Sequence, residues 1–484
     1  MFLPNGLFNR CRYSILVKEY GINFGTMKKI SLFLSFSCFV ALSANAQHEH
    51  HLPSKDTLKS GYEQMKEHSM EMPHEGDRST HSMDGMSHAF SLHLPMNRNG
   101  SGTGWLPDAS PMYGTMYHSP KWMYMLHGNL FLRYTHQDVT HKGARGDKKV
   151  DAPNWLMFMG QRRVGQKGLF HFNTMFSLDA VVMGGNGYPL LFQSGETYQG
   201  KALVDRQHPH DLISELSVSY AHAFSNNTDV FIYAAYPGEP ALGPVAFMHR
   251  PSALYNPDAP LSHHWVDATH ITFGVVTLGI RLGKFKLEGS SFTGREPNEK
   301  RFDFDKPRFD SWSGRLSYNP SPNWALQVSH GFLKRPEELH PDEDINRTTA
   351  SATYSLPLAE NSWFNAIALW GMNKSKDHSS ENAFLLEGSW RLNRWAIHSR
   401  YEYVQKSAEE LVLTESEYGH GAVFPVNAFT VGVGYDLWHL AKTRIAAGSQ
   451  WTLYQADPKL NTLYGKNPMA FEIYLRVYPS LMKM

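Results

Sequence analysis

The chain repeats a pattern in which apolar and polar residues alternate with a period of two. In the segment 384–392, one face of an extended chain would carry Phe384, Leu386, Trp390 and Leu392, and the opposite face would carry Leu385, Glu387, Ser389 and Arg391. A turn at 393–394 follows, and the alternation then resumes as far as residue 403. This period is that of a β-strand with one apolar and one polar face.

Sixteen segments with this pattern predict sixteen strands. They are 122–137, 153–164, 169–183, 212–224, 230–236, 271–282, 285–295, 311–319, 324–333, 347–356, 363–373, 383–392, 395–405, 428–437, 444–454 and 469–477. Short turns alternate with longer connections, of which 184–210 and 238–270 are the longest. Aromatic residues at the strand ends, short turns and long loops are typical of a closed transmembrane antiparallel β-barrel. Fourteen or eighteen strands remain open, because the boundaries of predicted strands are uncertain by a few residues.

The N-terminal region predicts export. A short basic stretch at Met27-Lys28-Lys29 precedes the apolar run 30–41, and Ala44-Asn45-Ala46 matches a cleavage site, so residues 27–46 form a predicted signal peptide. Residues 1–26 do not fit this pattern, and we interpret them as an extension translated from an early start codon. Both cysteines, Cys11 and Cys38, precede the cleavage site, so the mature chain would have no disulfide and no thiolate metal site.

Composition narrows the functional classes. The chain has 46 basic and 45 acidic residues and contains no basic block, so no nucleic-acid partner is expected. After the signal, no apolar run approaches the roughly 20 residues of a transmembrane helix. The predicted barrel, residues 121–484, would therefore lie in the outer membrane of a Gram-negative bacterium, in contact with its lipid. A secreted propeller is the alternative all-β fold, but no blade-length repeat is present.

Residues 47–120 hold nine histidines and eight methionines among polar residues, glycine and proline. We interpret this segment as a disordered periplasmic tail, because an even strand number places both chain ends in the periplasm. Thioether sulfur and imidazole suit copper, so the tail predicts binding of Cu(I) or Cu(II). The predicted ligands are His48, His50, His51, Met65, His68, Met70, Met72, His74, His81, Met83, Met86 and His88. The alternative is a polar linker in which these residues are incidental.

Two sets of motifs carry resemblances to known groups. The run His81-Ser-Met-Asp-Gly-Met86 and its neighbours resemble the Met/His-rich N-terminal segment of the copper resistance B-type outer-membrane proteins. The barrel departs from that family: it looks longer and lacks that family's barrel motifs. The motifs Asp205-Arg-Gln-His-Pro-His-Asp211 and Phe302-Asp-Phe-Asp-Lys-Pro-Arg-Phe-Asp-Ser-Trp312 are similar to those of uncharacterised outer-membrane proteins associated with heavy-metal resistance. That second resemblance implies no mechanism.

A second predicted metal site lies in two long loops. His208, His210 and Asp211 stand at the start of a strand, and a His-x-His pair in extended backbone directs both rings to one side. The loop 237–270 adds His249, His263, His264, Asp267 and His270. If both loops fold towards the barrel mouth, His263 and His264 would join the first group. A rigid, proline-rich loop network in which the histidines only donate hydrogen bonds is the alternative.

The predicted function follows from the barrel and the tail. The tail would capture copper-type ions in the periplasm and pass them to a periplasmic metal carrier or an efflux system. A porin-like channel for small solutes and a purely structural outer-membrane protein are the alternatives. No enzyme is expected: His398 and Ser399 fall on opposite faces of their strand, and no other nucleophile and base are recognisable.

Overall fold

The computed structural model describes residues 87–376 and 379–482, and its central feature is a closed antiparallel barrel of sixteen strands. The alternating pattern forms strands because each one buries its polar face in the barrel and bonds to two neighbours. The barrel strands are β1 Met123–His136, β2 Asn154–Val164, β3 Gly168–Phe176, β4 Ile213–Ser225, β5 Thr228–Ala235, β6 Val275–Leu282, β7 Phe285–Phe292, β8 Ser311–Tyr318, β9 Trp324–Leu333, β10 Ile345–Ala359, β11 Ser362–Lys374, β12 Glu381–Leu392, β13 Trp395–Ser407, β14 Val423–Leu440, β15 Thr443–Ala456 and β16 Met469–Pro479.

Each strand pairs with the next one along the chain, and β1 pairs with β16 to close the barrel. In the closing pair, Leu130 lies opposite Val477 and His136 lies opposite Phe471. All sixteen predicted strands are confirmed. The third one is shorter than predicted: β3 ends at Phe176, and a short helix, α1 Asp179–Met183, follows it. Asp179 begins this turn because its carboxylate accepts hydrogen bonds from the backbone and side chain of Asn154.

Short turns and long loops alternate around the barrel. Two-residue connections such as 393–394 lie at the end that carries residues 122 and 479, and all the long loops lie at the other end. The loops contain the helices α2 His263–Val266, α3 Glu415–Tyr418 and α4 Asn461–Tyr464, and the 3-10 turns Phe247–His249, Ala268–His270 and Pro458–Leu460. They also contain the short strands Lys148–Asp151, Tyr188–Pro189, Glu196–Tyr198, Lys201–Leu203 and Arg206–Gln207. Within the described residues, no helix is long and apolar enough to cross a membrane.

The two faces of the barrel wall differ in polarity. Outward positions are apolar and exposed, as at Leu216, Val218 and Ile473. Inward positions are charged and buried, and they form ion pairs: Arg315 Nε lies 3.1 Å from Glu288 Oε2, and Arg400 Nη2 lies 2.7 Å from Glu387 Oε2. An apolar exterior around a polar interior is typical of a β-barrel that lies in a lipid bilayer.

The N-terminal segment 87–114 lies inside the barrel, and this corrects the predicted boundary of the tail at residue 120. Most of its residues are buried, and it contains the 3-10 turn Met96–Arg98. The strand Thr115–His118 follows and pairs with the start of β1. The predicted disorder is wrong for 87–120 because the barrel wall satisfies the segment's polar groups; for example, Arg315 Nη2 donates to Thr103 Oγ1 at 2.8 Å. Residues 1–86, with the predicted signal peptide and the rest of the tail, lie outside the described residues.

The long loop 236–274, here called the inner loop, also folds into the barrel. Two backbone hydrogen bonds between Gly238 and Thr272, of 3.0 and 2.8 Å, close its neck. Within it, Trp265 and Val266 are fully buried against β11, and an added side-chain carbon at Gly371 would lie 2.5 Å from the carbonyl oxygen of Trp265. The inner loop and the N-terminal segment together fill most of the lumen.

Candidate functional site

Five histidines from two loops meet at the long-loop end of the lumen. His208 and His210 come from the segment before β4, His263 and His264 lie on α2, and His270 lies on the following 3-10 turn. Their ring centres are 5.1 Å apart for His263 and His270, 5.4 Å for His210 and His270, and 6.2 Å for His208 and His264. We call these five residues the histidine cluster.

Carboxylates orient several of these rings. His210 Nδ1 lies 2.7 Å from Asp179 Oδ2, and His263 Nδ1 lies 2.6 Å from Asp267 Oδ1. The backbone carbonyl of Asp267 lies 2.8 Å from His270 Nδ1. In metal sites, one ring nitrogen is held in this way and the other faces the ion. The Nε2 atoms of His210, His264 and His270 are buried and have no hydrogen-bond partner.

Burial favours the neutral form of four of the cluster's imidazoles. It lowers the pKa of His264 to about 4, with the Lys406 ammonium adding to the effect. Burial also lowers the pKa values of His208, His263 and His270. Burial alone would raise the pKa of Asp267, but His263 and Arg250 outweigh it and lower that pKa to about 2. His208, His263, His264 and His270 therefore present neutral rings, the form that binds metals.

The carboxyl groups beside the cluster behave in the opposite way. Burial raises the pKa of Glu196 to about 7 and that of Asp211 to about 6, although Arg301 acts against both shifts. Arg301 lies 3.2 Å from Glu196 Oε2 and 3.4 Å from Asp211 Oδ2. Asp211 is thus paired with an arginine from the loop 293–310.

In the structure, four residues of the predicted second metal site lie close together. The structure brings His208, His210, His263 and His264 together, as the two loops were expected to do, and adds His270. In the described part of the chain, no three His, Cys, Asp or Glu side chains are arranged to hold one metal ion. Metal binding at the cluster stays a prediction. The sequence did not indicate Asp179 or Glu296, whose carboxylates approach His210 and His264. Asp179 fell within the predicted strand 169–183, and Glu296 stands in another loop without a motif.

Only one of the predicted tail ligands lies among the described residues. His88 is buried inside the barrel, where its Nδ1 accepts a 3.2 Å hydrogen bond from the backbone of Phe90 and its ring contacts Trp105. His48, His50, His51, Met65, His68, Met70, Met72, His74, His81, Met83 and Met86 lie outside the described residues. His88 packs as part of the N-terminal segment.

At the short-turn end, a cavity of about 1040 Å³ opens below the N-terminal segment. It is bordered by Asp108, Ser110, Asp436 and Arg444, with Met112 at its inner side. Asp436 accepts hydrogen bonds there from Tyr478, at 2.6 Å, and from Arg444, at 3.0 Å. We call this cavity the vestibule. A smaller cavity of about 100 Å³ lies deeper in the lumen and shares Asn97, Pro111 and Met112 with it.

Comparisons with known proteins concern the barrel. No protein-family model matches the chain. No curated protein sequence matches it either. Among solved structures, OmpF of Salmonella typhi, in complex with daunomycin, is 9% identical over 75% of this chain and 100% of its own, with a TM-score of 0.46.

Two further porin-type structures are similar to a comparable extent. The anion-selective porin from Comamonas acidovorans is 11% identical over 74% of this chain and 100% of its own, with a TM-score of 0.45. A loop-deletion mutant of the outer-membrane protein OmpT of Vibrio cholerae is 9% identical over 74% of this chain and 99% of its own, with a TM-score of 0.43. The pairing of the sixteen strands, and not these likenesses, defines the class of the protein as a closed sixteen-stranded antiparallel β-barrel.

Proposed function

We propose that the protein is a porin-like channel of the outer membrane that passes only small solutes. The observation that carries this proposal is the meeting of the inner loop with the N-terminal segment inside the barrel. The backbone N–H of Ala246 donates to Ser101 Oγ at 2.8 Å, and Arg315 Nη1 donates to the carbonyl of Gly243 at 3.1 Å. These contacts narrow a lumen that a sixteen-stranded wall would otherwise leave wide.

The apolar exterior supports the membrane location. The loop asymmetry supports the orientation, because outer-membrane barrels have short turns on the periplasmic side and long loops outside. In this orientation the vestibule opens to the periplasm and the histidine cluster faces the cell exterior. The paired charges of the lumen predict weak selectivity between anions and cations. A catalytic role is not part of the proposal: His398 Nε2 donates to Gln450 Oε1 at 3.1 Å inside the barrel, and Ser399 lies on the outward face of the strand.

Conductance of the purified full chain in planar lipid bilayers tests the channel. Replacing residues 240–270 by a short Gly/Ser linker retains the neck between Gly238 and Thr272 and should raise single-channel conductance several-fold. As a matched control, the same linker in place of 415–420 removes α3, which has no buried residue, and should leave conductance unchanged. A parent protein that already passes oligosaccharides, or a shortened variant that does not conduct, would contradict the proposal.

A second candidate function is capture of metal ions, as the tail and the histidine cluster predict. The observation that favours it is the pair of buried, unpartnered Nε2 atoms of His210 and His270, whose Nδ1 atoms are held by the Asp179 carboxylate and by the backbone carbonyl of Asp267. Binding of Zn(II) and Cu(II) to the full chain, compared with a His210→Gln/His270→Gln variant, tests the cluster. Cu(I) binding with Met65, Met70, Met72, Met83 and Met86 changed to leucine tests the tail. If neither variant loses an ion, metal capture at these two places is wrong.

A further inference from the structure

Methionines occupy inward positions on the first three barrel strands. On β1, β2 and β3, all five methionines are buried and point into the lumen: Met123, Met125, Met157, Met159 and Met175. The outward positions of the same strands carry leucine, phenylalanine and tyrosine. A general need for apolar residues does not explain this division. The lipid-facing positions carry the more hydrophobic residues, whereas the lumen-facing positions carry methionine.

Strand register places these methionines in adjacent rows. Met116, Met125 and Met159 are direct cross-strand neighbours in one row. His127, Met157 and Met175 are neighbours in the next row. Opposite residues of paired strands have Cβ atoms about 5 Å apart, so flexible thioethers in two such rows can reach a common point.

The filling segments add sulfur to the same place. Met96 and Met112 come from the N-terminal segment, Met248 comes from the inner loop, and all three pack on the strand methionines. A side-chain carbon added at Gly114 would lie 3.1 Å from Met125 Sδ and 3.2 Å from Met482 Sδ, so these two sulfur atoms face one point. Three separate parts of the fold therefore direct thioethers into one region of the lumen.

Two imidazoles and an indole complete the group. The rings of His127 and His249 are 5.8 Å apart, and Trp155 contacts both, at 5.1 and 4.7 Å. His127 Nε2 is buried without a hydrogen-bond partner. His127 therefore offers an unpaired imidazole nitrogen among the thioethers.

The group lines the deeper cavity of about 100 Å³. Its walls include Met125, Met157, Met159, Met248, His127 and His249. This volume exceeds the roughly 30 Å³ that one water molecule occupies in the liquid, so an ion fits. Met112 and Asn97 border both this cavity and the vestibule, which gives a route from the short-turn end.

The charged residues around the cavity affect which ions it can bind. Arg250 borders it and pairs with Asp267 at 3.2 Å, whereas Arg476 donates to Asn129 and stacks on Tyr478. No carboxylate is among the residues that line the cavity in the described part of the chain. Positive charge and uncharged ligands disfavour a divalent ion more than a monovalent one. Neutral sulfur and nitrogen ligands suit soft monovalent ions.

We propose that the methionines and histidines of this cavity form a binding site for a soft monovalent cation, Cu(I) or Ag(I), inside the barrel. Met125, Met157 and Met159 supply thioether ligands, and His127 supplies an imidazole. The site goes beyond the proposed channel and does not depend on conductance. It also differs from the predicted copper-binding tail, because every ligand belongs to the folded barrel or to the segments that fill it.

The test measures Ag(I) and Cu(I) binding by the purified full chain against a competing chelator. The variant Met125→Leu/Met157→Leu/Met159→Leu keeps nearly the same side-chain volume and should preserve the fold. The control Met183→Leu/Met372→Leu/Met469→Leu changes three methionines outside the cavity. The first variant should lose one tightly bound ion per chain relative to the parent, and the control should lose none. Both should keep the parent's far-ultraviolet circular dichroism.

A second measurement locates the ion directly. Crystals of the full chain grown with Ag(I) should give an anomalous difference peak between His127 and the sulfur atoms of Met157 and Met159. Zn(II) serves as the divalent comparison, because it is less soft than Ag(I), and it should give no peak there. Equal ion counts for parent and first variant, or silver peaks only elsewhere, would overturn the proposal and leave the methionines as packing residues. Neither outcome bears on the channel, which conductance tests separately.

Discussion

The backbone N–H of Ala246 donates a hydrogen bond to Ser101 Oγ, 2.8 Å away, in the middle of the barrel. The two residues are far apart in the sequence and belong to the two segments that fill the lumen. Next to this bond, a side-chain carbon added at Gly100 would lie 2.3 Å from Val245 Cγ2. The inner loop and the N-terminal segment are therefore packed on each other, and changes in one should be transmitted to the other.

A steric overlap between the inner loop and the N-terminal segment should weaken their packing on each other inside the lumen. Gly100→Ala introduces a carbon that overlaps Val245, and overpacking of this kind costs about 1–3 kcal/mol. We expect lower thermal stability and more frequent openings in bilayer recordings. Val245→Ala in the same chain should restore both, because it removes the overlapping methyl groups. If the double variant is no better than Gly100→Ala alone, the steric explanation is wrong.

The packing of α2 against the barrel wall gives a second prediction. Gly371 has no side chain where the carbonyl oxygen of Trp265 approaches, and an added carbon would lie 2.5 Å from that oxygen. Gly371→Ala should therefore displace the inner loop and raise conductance. Gly388→Ala is the matched control, since its added carbon would meet its nearest neighbour at 3.5 Å, an ordinary contact. Equal conductance in the two variants would contradict the role given to α2.

A third prediction concerns the buried charges. Glu288 lies between two cations, 3.2 Å from Lys286 Nζ and 3.1 Å from Arg315 Nε. Glu288→Gln leaves both cations without their partner, which costs about 3–5 kcal/mol, and shifts reversal potentials in a salt gradient towards anions. Lys286→Met added to Glu288→Gln should recover most of the stability and selectivity. A reversal potential that does not move would show that this triad lies away from the ion path.

The histidine cluster predicts a pH dependence. His264 has a pKa of about 4 in the folded protein, lowered first by burial, against 6.5 when solvated. Between these values the unfolded chain binds more protons, so His264's contribution to stability is present above pH 6.5 and is lost as pH falls towards 4. The shift corresponds to about 3 kcal/mol.

Unfolding by urea in lipid vesicles at several pH values, for the parent and for His264→Gln, measures this contribution. The stability difference between the two should shrink as pH falls from 6.5 to 4. Glu196 acts oppositely, because its pKa is raised to about 7 in the fold and its contribution grows as pH falls through that range. Glu196→Gln separates its effect from that of His264. A difference that is independent of pH would exclude the imidazole as the cause.

How much of the fold the sequence predicts depends on the range of the interaction. Period-two alternation sufficed for all sixteen strands and for their faces, because each residue's side follows from its neighbours. It failed at residues 177–183, where an apolar run continues but Asp179 starts a helix. It also failed at 87–120, where a polar composition indicated disorder but the barrel interior provides partners for the polar groups.

The sequence predicted the site residues only in part, for the same reason. His208, His210, His263 and His264 were predicted to meet from their motifs, whereas their carboxylate partners Asp179 and Glu296 were not. The methionine cavity was not predicted at all. Its residues come from the N-terminal segment, three strands, the inner loop and the C-terminus, and their spacing in the sequence has no period that connects them.

The sequence by itself determined a β-barrel of about sixteen strands and the two faces of each strand, because local alternation suffices for these, whereas the pairing of β1 with β16 fixed the number at sixteen. Only the tertiary structure decided that the lumen is filled. It also decided which histidines and methionines share a cavity. Those outcomes depend on how far the inner loop and the N-terminal segment reach into the barrel, and this is set by contacts such as Ser101 with Ala246, between residues that no local pattern relates.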